Sequence, residues 1–413
     1  MKLLVVVSSI YDKDLFKKRK TITGIEIMVR DILNGVSNEM ECFVFTTSLK
    51  SKGLNIGKIQ LLSNNLNCFF WMVRKEGLYK FKKNYDELKG KSIKERFNLA
   101  VSLTMLNHHI SMISPDIVNI HDLNDWNTIF LQKILPTGVK VLLTDHLYVG
   151  KKEHSYGYNS LRNNEEKIFN SLHENLYVSF VSTGMRKRFL NDYPVFSEEK
   201  AYCVVNGTNI SCYNKNIPAR PNIFEKMQGK KVLLCIGSFT ARKNQQAIIE
   251  TFGLMNQEEK SKVCILFIGA GRMQKIKDNL FSKSDMQSLY YIGKVTPSEM
   301  ASYYYYCDGT ITTSLNESFG LTIIEGFMYG KPAILFNDID SFADLYDKNV
   351  CVPIIEHNNI AIKNAINEFL DRKWNSQYIT QFVEKFSLER VHKEYLMVYK
   401  NVLYNCKREN KIN

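Results

Sequence analysis

An α/β fold with two parallel sheets is predicted by three features of this 413-residue sequence. Two series of short apolar segments alternate with helical patterns, one from Lys2 and the other from Val232. Several of these segments are continuously apolar, which is typical of strands covered on both faces. A polar stretch over Tyr213–Lys230, with Pro218 and Pro221, predicts a linker between the two series. The length also suits two domains, because one hydrophobic core serves roughly 100–200 residues.

The first series begins with a strand, a glycine-containing loop and a helix. The predicted strands are Lys2–Ser9, Cys42–Thr46, Gln60–Leu62, a short strand within Ser114–Asp122, Val141–Thr144, Val178–Thr183 and Tyr202–Asn209. Gly24 lies in the segment that opens the first helix, where free amides can bind a phosphate. A single glycine is a weak signal, and on its own a simple turn explains it better. His121 and His146 each follow a predicted strand, at the end of a parallel sheet where ligands bind.

The second series contains the most informative stretch, Asn316–Gly330, with the sequence NESFGLTIIEGFMYG. The strands predicted for this series are Val232–Gly237, Val263–Gly269, Tyr290–Gly293, Asp308–Ser314 and Pro332–Phe336. A helix predicted from Phe319 would present the amides of Phe319, Gly320 and Leu321 as first-turn donors to an anion. Glu317 in the loop and Glu325 in the helix could each bind a hydroxyl-bearing group, with Ser318 near the cap. The same residues also fit an ordinary amphipathic helix with solvated glutamates.

Charge and cysteine content limit the partners and the compartment. The net charge is +13, which favours acidic partners such as nucleotide phosphates, nucleic acid or an anionic membrane. Nine scattered cysteines form no CxxC pair, which indicates reduced thiols in a cytosolic protein and no metal cluster. No apolar run reaches the roughly 18 residues of a membrane-spanning helix, and the apolar N-terminus is better explained as a buried strand than as a signal peptide.

The segment Phe69–Phe97 combines aromatic and basic residues. It begins Phe-Phe-Trp-Met-Val and carries nine basic and four acidic residues, which leaves 9 − 4 = +5. This composition predicts an interfacial membrane helix or a nucleic-acid surface. A solvated helical face above core aromatics explains it equally well.

The spacing around the two glutamates resembles a known signature. Glu317 and Glu325 are eight positions apart, Ser-Phe-Gly-Leu follows the first, and Gly330, Lys331 and Pro332 lie downstream. This pattern is similar to that of retaining glycosyltransferases with the GT-B fold, and most of all to family 4. The resemblance is extensive from Val232 to about Ile354. Over the first series it rests on a few residues, namely Gly24, His121, Asp122 and His146.

The resemblance implies two Rossmann-like domains facing across a cleft, with a C-terminal helix crossing back to the first. The implied domains are residues 1–213 for an acceptor, 214–390 for a nucleotide sugar, and the helix 391–413. Tyr395, Val398, Tyr399 and Val402 would lie on one face of that helix. The activity implied is retaining, metal-independent sugar transfer from a nucleotide diphosphate donor, UDP first among candidates. The acceptor would be a glycan or lipid-linked molecule, as in bacterial surface polysaccharide synthesis.

Individual roles follow from the same resemblance. Lys243 matches the lysine that binds the donor diphosphate, and Arg242 adds charge beside it. Glu325 would hold the ribose, Glu317 the donor sugar, and His121 would lie near the reacting sugar. The other positions assigned to the site are Gly24, Ser318, Phe319, Gly320 and Leu321 for the donor, with His146, Ser238 and Asn209 as further candidates.

This sequence also departs from the family pattern. Thr23 replaces the first of two glycines, Ser238 stands where an arginine is frequent, and Asp338–Asp344 lacks the usual glycines. Three alternatives therefore stay open: a GT-B epimerase or phosphorylase, a non-catalytic sugar-nucleotide-binding subunit, and a nucleic-acid binder, although no nucleic-acid module is recognisable. The expected location is cytoplasmic, peripheral on the inner face of the cell membrane, with no cofactor and no metal.

Overall fold

A computed structural model describes residues 1–7, 24–47, 50–121, 123, 125–131, 138–151, 158–170, 174–210, 217–227, 229–271 and 288–409. Thr23, Asp122 and the first residues of the predicted linker, 213–216, lie outside these ranges. The chain forms two compact units. One comprises Met1–Val181, Met185–Val204 and the chain from Leu388, and the other comprises Ser182–Gly184 and Val205–Ser387.

An eight-stranded sheet forms the centre of the first unit. Its strands are β1 (Lys2–Val7), β2 (Glu41–Thr46), β3 (Lys50–Ile56), β4 (Ile59–Asn65), β5 (Ile117–His121), β6 (Lys140–Asp145), β7 (Leu176–Phe180) and β8 (Ala201–Cys203). Their order is β3-β4-β2-β1-β5-β6-β7-β8, and β3 pairs antiparallel with β4 while the other pairs are parallel. The side chains of Leu3–Val7 are buried, as a continuous apolar strand covered on both faces requires.

Helices follow most strands of this unit. They are α1 (Gly24–Val36), α2 (Leu66–Glu76), α3 (Tyr79–Glu87), α4 (Ile93–Ile113), α5 (Asp125–Ile129), α6 (Asn159–Phe169) and α7 (Thr183–Asp192). Strand β3 was not predicted, because its sequence KSKGLNI lacks an apolar pattern. The segment predicted as one interfacial helix is divided among α2, α3 and the start of α4.

The second unit contains a six-stranded parallel sheet. Its strands are β9 (Lys231–Ile236), β10 (Val263–Ile268), β11 (Leu289–Gly293), β12 (Gly309–Ile311), β13 (Ala333–Phe336) and β14 (Cys351–Ile354). The order β11-β10-β9-β12-β13-β14 is the 3-2-1-4-5-6 arrangement of a Rossmann fold. The helices are α8 (Gln245–Leu254), α9 (Gln257–Lys262), α10 (Pro297–Tyr306), α11 (Leu321–Met328), α12 (Phe342–Leu345), α13 (Asn359–Asp371) and α14 (Ser376–Phe382).

The last helix, α15 (Leu388–Glu409), belongs to the first unit, as predicted. Tyr395, Val398, Tyr399 and Val402 are buried on one face of it. A Cβ atom at Gly35 of α1 would lie 2.0 Å from the ring of His392, so these two helices pack closely. The amide of Asn119 in β5 donates to the Tyr399 hydroxyl at 2.8 Å, which fixes the helix against the centre of the sheet.

Candidate active site

The second sheet brings two predicted site segments side by side. Strands β9 and β12 are hydrogen-bonded neighbours at the point where the strand order reverses. In open α/β sheets ligands bind beside the carboxyl ends of the strands at such a point. The loop after β9 carries Arg242 and Lys243, and the loop after β12 carries Glu317 and Ser318. The topology therefore gathers these predicted donor-binding residues at one edge of the sheet.

Close backbone packing shapes the loop after β9. Gly269, just beyond β10, has a φ of 153°, and a Cβ atom there would lie 2.0 Å from the Gly237 carbonyl oxygen. The loop then closes in a turn in which the amides of Lys243 and Asn244 both donate to the Thr240 carbonyl at 3.1 Å. Asn244 adopts a left-handed conformation, with a φ of 48°, and α8 begins at the next residue. Lys243 is therefore held at the start of a helix.

Hydrogen bonds join this loop to the loop after β12. The amide of Leu315 donates to the Arg242 carbonyl at 2.8 Å, and the Arg242 guanidinium donates to the Asn316 carbonyl at 2.8 Å. The Thr313 hydroxyl donates to the carbonyl of Asn244 at 2.8 Å. These three bonds, one between main-chain groups and two from side chains to main-chain carbonyls, fix the loop that carries Lys243 relative to the residues after β12.

Lys243 and Glu317 form an ion pair between the two loops. The Lys243 ammonium donates to the Glu317 carboxylate, and both side chains are largely buried, with 17% and 13% of their surfaces exposed. Burial alone raises the pKa of Glu317, but the charge and hydrogen bond of Lys243, with the Arg242 charge, outweigh it and lower that pKa. The Glu317 carboxylate is therefore charged at neutral pH. An ammonium has three donors, so Lys243 can bind an anion as well as Glu317.

Helix α11 begins later than the sequence predicted. Gly320 has a φ of 86° and a ψ of 54°, a left-handed conformation that ends the loop, and the helix starts at Leu321. The first-turn amides before the bond from Ile323 to the Gly320 carbonyl are those of Leu321 and Thr322. Phe319 and Gly320 precede the helix instead of forming its first turn. Phe319 is buried against Phe386, at 5.8 Å between ring centroids, and anchors the loop.

Glu325 lies one turn into α11, beside a tyrosine from α10. The Tyr304 hydroxyl donates to the Glu325 carboxylate at 2.7 Å and lies 3.1 Å from the Thr322 carbonyl oxygen. The ring of Tyr304 stacks on that of Tyr329, with centroids 5.8 Å apart. Burial raises the pKa of Glu325 and the hydrogen bond from Tyr304 partly offsets it. The pKa of Glu325 is therefore raised, whereas that of Glu317 is lowered.

The two predicted histidines meet in the first unit. His121 ends β5, His146 follows β6, and these strands are paired. The Nδ1 atom of His121 and the Nε2 atom of His146 are 2.9 Å apart, and the rings stack with centroids separated by 5.2 Å. Among the described residues, Nε2 of His121 has no hydrogen-bond partner. Burial lowers the pKa of both, that of His146 to about 4, so the pair is neutral at pH 7.

The buried pair predicts acid sensitivity of the fold. The pKa of His146 falls from 6.5 to about 4 on folding, so the unfolded chain binds the proton first as the pH drops. The stabilisation is complete above pH 6.5 and decreases below it. Between pH 7.5 and 5 the free energy of unfolding should fall by about 2 kcal/mol from this residue. Urea unfolding should show a flatter pH dependence for His146→Asn, and an unchanged slope would contradict the assignment.

The remaining predicted positions are more peripheral in the described structure. Gly24 is the first described residue of α1, so the loop before it lies outside the described ranges. Ser238 is exposed, and its carbonyl accepts from the Gln245 amide at 3.1 Å. Asn209 lies in the second unit beside Thr208, whose amide donates to the Phe386 carbonyl at 2.9 Å.

Sequence reasoning missed Asn316 as a site residue, although it lies next to Glu317. Its side chain is buried, its carbonyl binds Arg242, and its Oδ1 atom has no partner within the described part of the chain. From the sequence alone, Asn316 was assigned only to the loop before the helix. Its position directly before Glu317 in the sequence is the signal that could have identified it.

Two kinds of feature are absent from the described ranges. They contain no group of three or more His, Cys, Asp or Glu residues placed to hold a metal ion. No helix within them is long and apolar enough to cross a membrane.

A known family model matches most of the second unit. Residues 216–386, which include Lys243, Glu317 and Glu325, match the family model of glycosyl transferases group 1. This part of the chain is similar to the group 1 glycosyltransferase domain. This domain coincides with nearly all of the second unit, where the ion pair lies.

One relative matches about a third of this chain, and solved structures match nearly all of it. Alpha-monoglucosyldiacylglycerol synthase from Streptococcus pneumoniae is 28% identical over 152 residues, 35% of this chain and 34% of that protein. The match therefore spans about a third of that relative's length. Sucrose-phosphate synthase from Thermosynechococcus elongatus has a TM-score of 0.70 at 12% identity, covering 98% of this chain and 100% of that one. Anabaena HepE in complex with UDP has a TM-score of 0.64 at 13% identity, covering 97% and 100%. These structures confirm the GT-B fold.

Proposed function

We propose that this protein transfers a sugar from a nucleoside diphosphate donor, UDP first among candidates, to a glycan or lipid-linked acceptor with retention of configuration. The observation that carries the proposal is the Lys243–Glu317 ion pair at the switch point of the second sheet. The group 1 domain around this pair supports a transferase. The complex of HepE with UDP supports the donor class, and the monoglucosyldiacylglycerol made by the Streptococcus synthase supports a lipid-linked acceptor.

The chemistry requires stabilisation of a leaving diphosphate. In the proposed step the bond from the anomeric carbon to the phosphate oxygen breaks, and its electron pair stays on the diphosphate. The acceptor oxygen bonds to the same face of the sugar, and its proton passes to the departing phosphate. Cations and amides that are already in position stabilise the charge that builds up on the leaving group. Lys243, Arg242 and the first amides of α11 would supply that stabilisation.

The two glutamates and the histidine pair have separate proposed roles. Glu325, held by Tyr304, would bind the ribose hydroxyls of the donor. Glu317 would bind the donor sugar, and His121 would lie near the reacting sugar in its neutral form. The free Nε2 atom among the described contacts of His121 supports a role in hydrogen bonding to a substrate.

A panel of nucleotide sugars tests the function directly. Each donor is screened by thermal shift and then by product analysis with and without candidate acceptors. Transfer with the donor's anomeric configuration kept, read by NMR, would support the proposal. Release of a free sugar or sugar phosphate without an acceptor would point to an epimerase or phosphorylase. Binding without turnover of any donor would point to a non-catalytic subunit.

Metal independence is a second expectation of this proposal. Lys243, Arg242 and the helix amides can neutralise the leaving diphosphate, so activity should persist in excess EDTA with less than about a twofold change, because the oxyanion stabilisation would come from protein donors. The measurement is the initial rate of nucleoside diphosphate release with chelator, compared with added Mg²⁺ or Mn²⁺. A strict requirement for either ion would contradict the assignment.

We also propose that the protein works in the cytoplasm at the inner face of the cell membrane. A lipid-linked acceptor would be available there, and the net charge of +13 favours an anionic surface.

A further inference from the structure

We propose that one surface of the first unit, made of the exposed residues of α2, the turn after it and the first half of α3, docks onto an anionic lipid bilayer. This docking face comprises Leu66, Phe70, Trp71, Arg74, Lys75, Leu78, Tyr79, Lys80, Lys82 and Lys83. The inference rests on the membrane association proposed above and identifies the residues that would make it.

The aromatic residues of the segment 69–97 divide into an inner and an outer set. Phe81 contacts Phe69 and Phe97, at 5.2 and 5.6 Å between ring centroids, so α2, α3 and α4 are joined by an inner cluster. Phe69 is only 2% exposed. The outer set is largely exposed: Phe70, whose ring borders that of Phe69 at 5.5 Å, is 54% exposed, and Trp71, Leu78 and Tyr79 are 56%, 57% and 79% exposed. Core packing therefore does not account for them.

Apolar and basic residues share the exposed side of α2. Leu66, Phe70 and Arg74 are spaced four residues apart, as are Trp71 and Lys75, so they lie on neighbouring stripes of α2. The Lys75 ammonium lies 4.2 Å from the centroid of the Trp71 ring. Apolar and cationic groups thus alternate over the same surface, the pattern of helices that lie in a membrane interface.

The charge on this face is largely uncompensated. Residues 66–83 contain five bases and one acid, which gives 5 − 1 = +4. The acid, Glu76, is engaged by His108 at 2.6 Å and by Lys80 at 3.6 Å. Among the described residues no ion pair involves Arg74, Lys82 or Lys83. Each base close to an anionic bilayer adds to binding, so this face complements acidic lipid headgroups.

A bilayer fits these observations better than RNA does. Stacking on bases would use the exposed aromatic rings, but it would not use the aliphatic Leu66 and Leu78 beside them. Insertion into the boundary between headgroups and acyl chains uses both kinds of side chain.

The test is co-sedimentation of the full chain with vesicles of phosphatidylcholine, with and without about 30% phosphatidylglycerol. Wild type should bind the anionic vesicles, and binding should weaken with salt. Reversing Lys82 and Lys83 to Glu should reduce partitioning roughly a hundredfold, and Phe70→Ser with Trp71→Ser should reduce it about tenfold or more, because both charge and apolar insertion contribute.

Matched controls change the same number of residues elsewhere. Lys187→Glu with Lys226→Glu matches the charge change, and Val195→Ser with Ile360→Ser matches the loss of exposed apolar groups. Both controls should bind like wild type. Equal binding of wild type to neutral and anionic vesicles, equal losses in the controls, or displacement of vesicles by RNA would overturn the proposal. Donor turnover without vesicles should be the same in all variants, so failure of the docking face is distinguishable from failure of the proposed transfer.

Discussion

Lys243→Ala should lower kcat/KM for sugar transfer by roughly a hundredfold or more, with most of the loss in kcat. One lost donor to a developing oxyanion costs about 3 kcal/mol. The Lys243 ammonium is fixed at the start of α8 by the turn at Thr240 and is held by Glu317 across the two loops. Little reorganisation would be needed to stabilise the leaving diphosphate, because the charge is already in position. The measurement is steady-state turnover with the donor found in the panel.

A loss of activity could also arise from structure, because removing Lys243 leaves a buried carboxylate without its counter-charge. The pKa of Glu317 would then rise, since burial raises it and Lys243 is the main group that lowers it. The double variant Lys243→Ala with Glu317→Gln removes both charges and should recover much of any loss in thermal stability. Its turnover should remain low. Wild-type turnover in the double variant would exclude a catalytic role for Lys243.

An exposed lysine provides the control for charge alone. Lys187→Ala removes the same charge from an exposed position of α7 to which no site role is assigned, and should leave kcat and KM unchanged. A comparable loss in this control would mean that net charge, not the position of Lys243, governs turnover.

The meeting of Lys243 and Glu317 could be predicted because it depends on topology. Each follows a strand, each precedes a helix, and neighbouring parallel strands end at the same edge of a sheet. The meeting of His121 and His146 follows the same rule, since β5 and β6 pair in register. Continuous apolar runs such as Leu3–Val7 identified the buried strands, because a strand covered on both faces buries every side chain.

Other features depend on contacts between distant residues, which no local pattern records. Tyr304 reaches Glu325 from a different helix, and the Arg242 guanidinium binds the main chain of Asn316, whose side chain plays no part in the bond. The late start of α11 depends on the left-handed conformation of Gly320, and glycine permits many conformations without specifying one. The same limit applied to Phe69 and Phe70, which are adjacent in sequence and have rings 5.5 Å apart, although one is buried and the other exposed.

The second large expected effect concerns Glu325 and Glu317, whose surroundings shift their pKa values in opposite directions. Glu325→Gln should weaken the binding of free nucleoside diphosphate by about tenfold to a hundredfold, the range for a lost hydrogen bond to a charged group. The ribose changes little during the reaction, so the loss should appear mainly in KM. Burial raises the pKa of Glu325, so wild-type nucleotide affinity should fall with decreasing pH sooner than an ordinary glutamate would cause.

Tyr304→Phe provides the matched control for Glu325, because it removes the hydroxyl that holds the carboxylate and leaves the ring stacked on Tyr329. It should weaken nucleotide binding less than Glu325→Gln does. A larger effect from the tyrosine would assign the contact with the nucleotide to Tyr304.

Glu317→Gln should lower kcat and leave nucleotide affinity nearly unchanged. The charge on the donor sugar changes as its bond breaks, so a group that contacts the sugar stabilises the transition state more than the ground state. We expect kcat to fall by roughly a hundredfold, the scale of one lost electrostatic contact, while free nucleoside diphosphate binds nearly as well as to wild type. Removing the carboxylate also frees the Lys243 ammonium for the diphosphate, which favours retained affinity. Calorimetry with the diphosphate measures nucleotide affinity, and turnover with donor and acceptor measures kcat. Loss of nucleotide binding in Glu317→Gln, with intact binding in Glu325→Gln, would reverse the two roles.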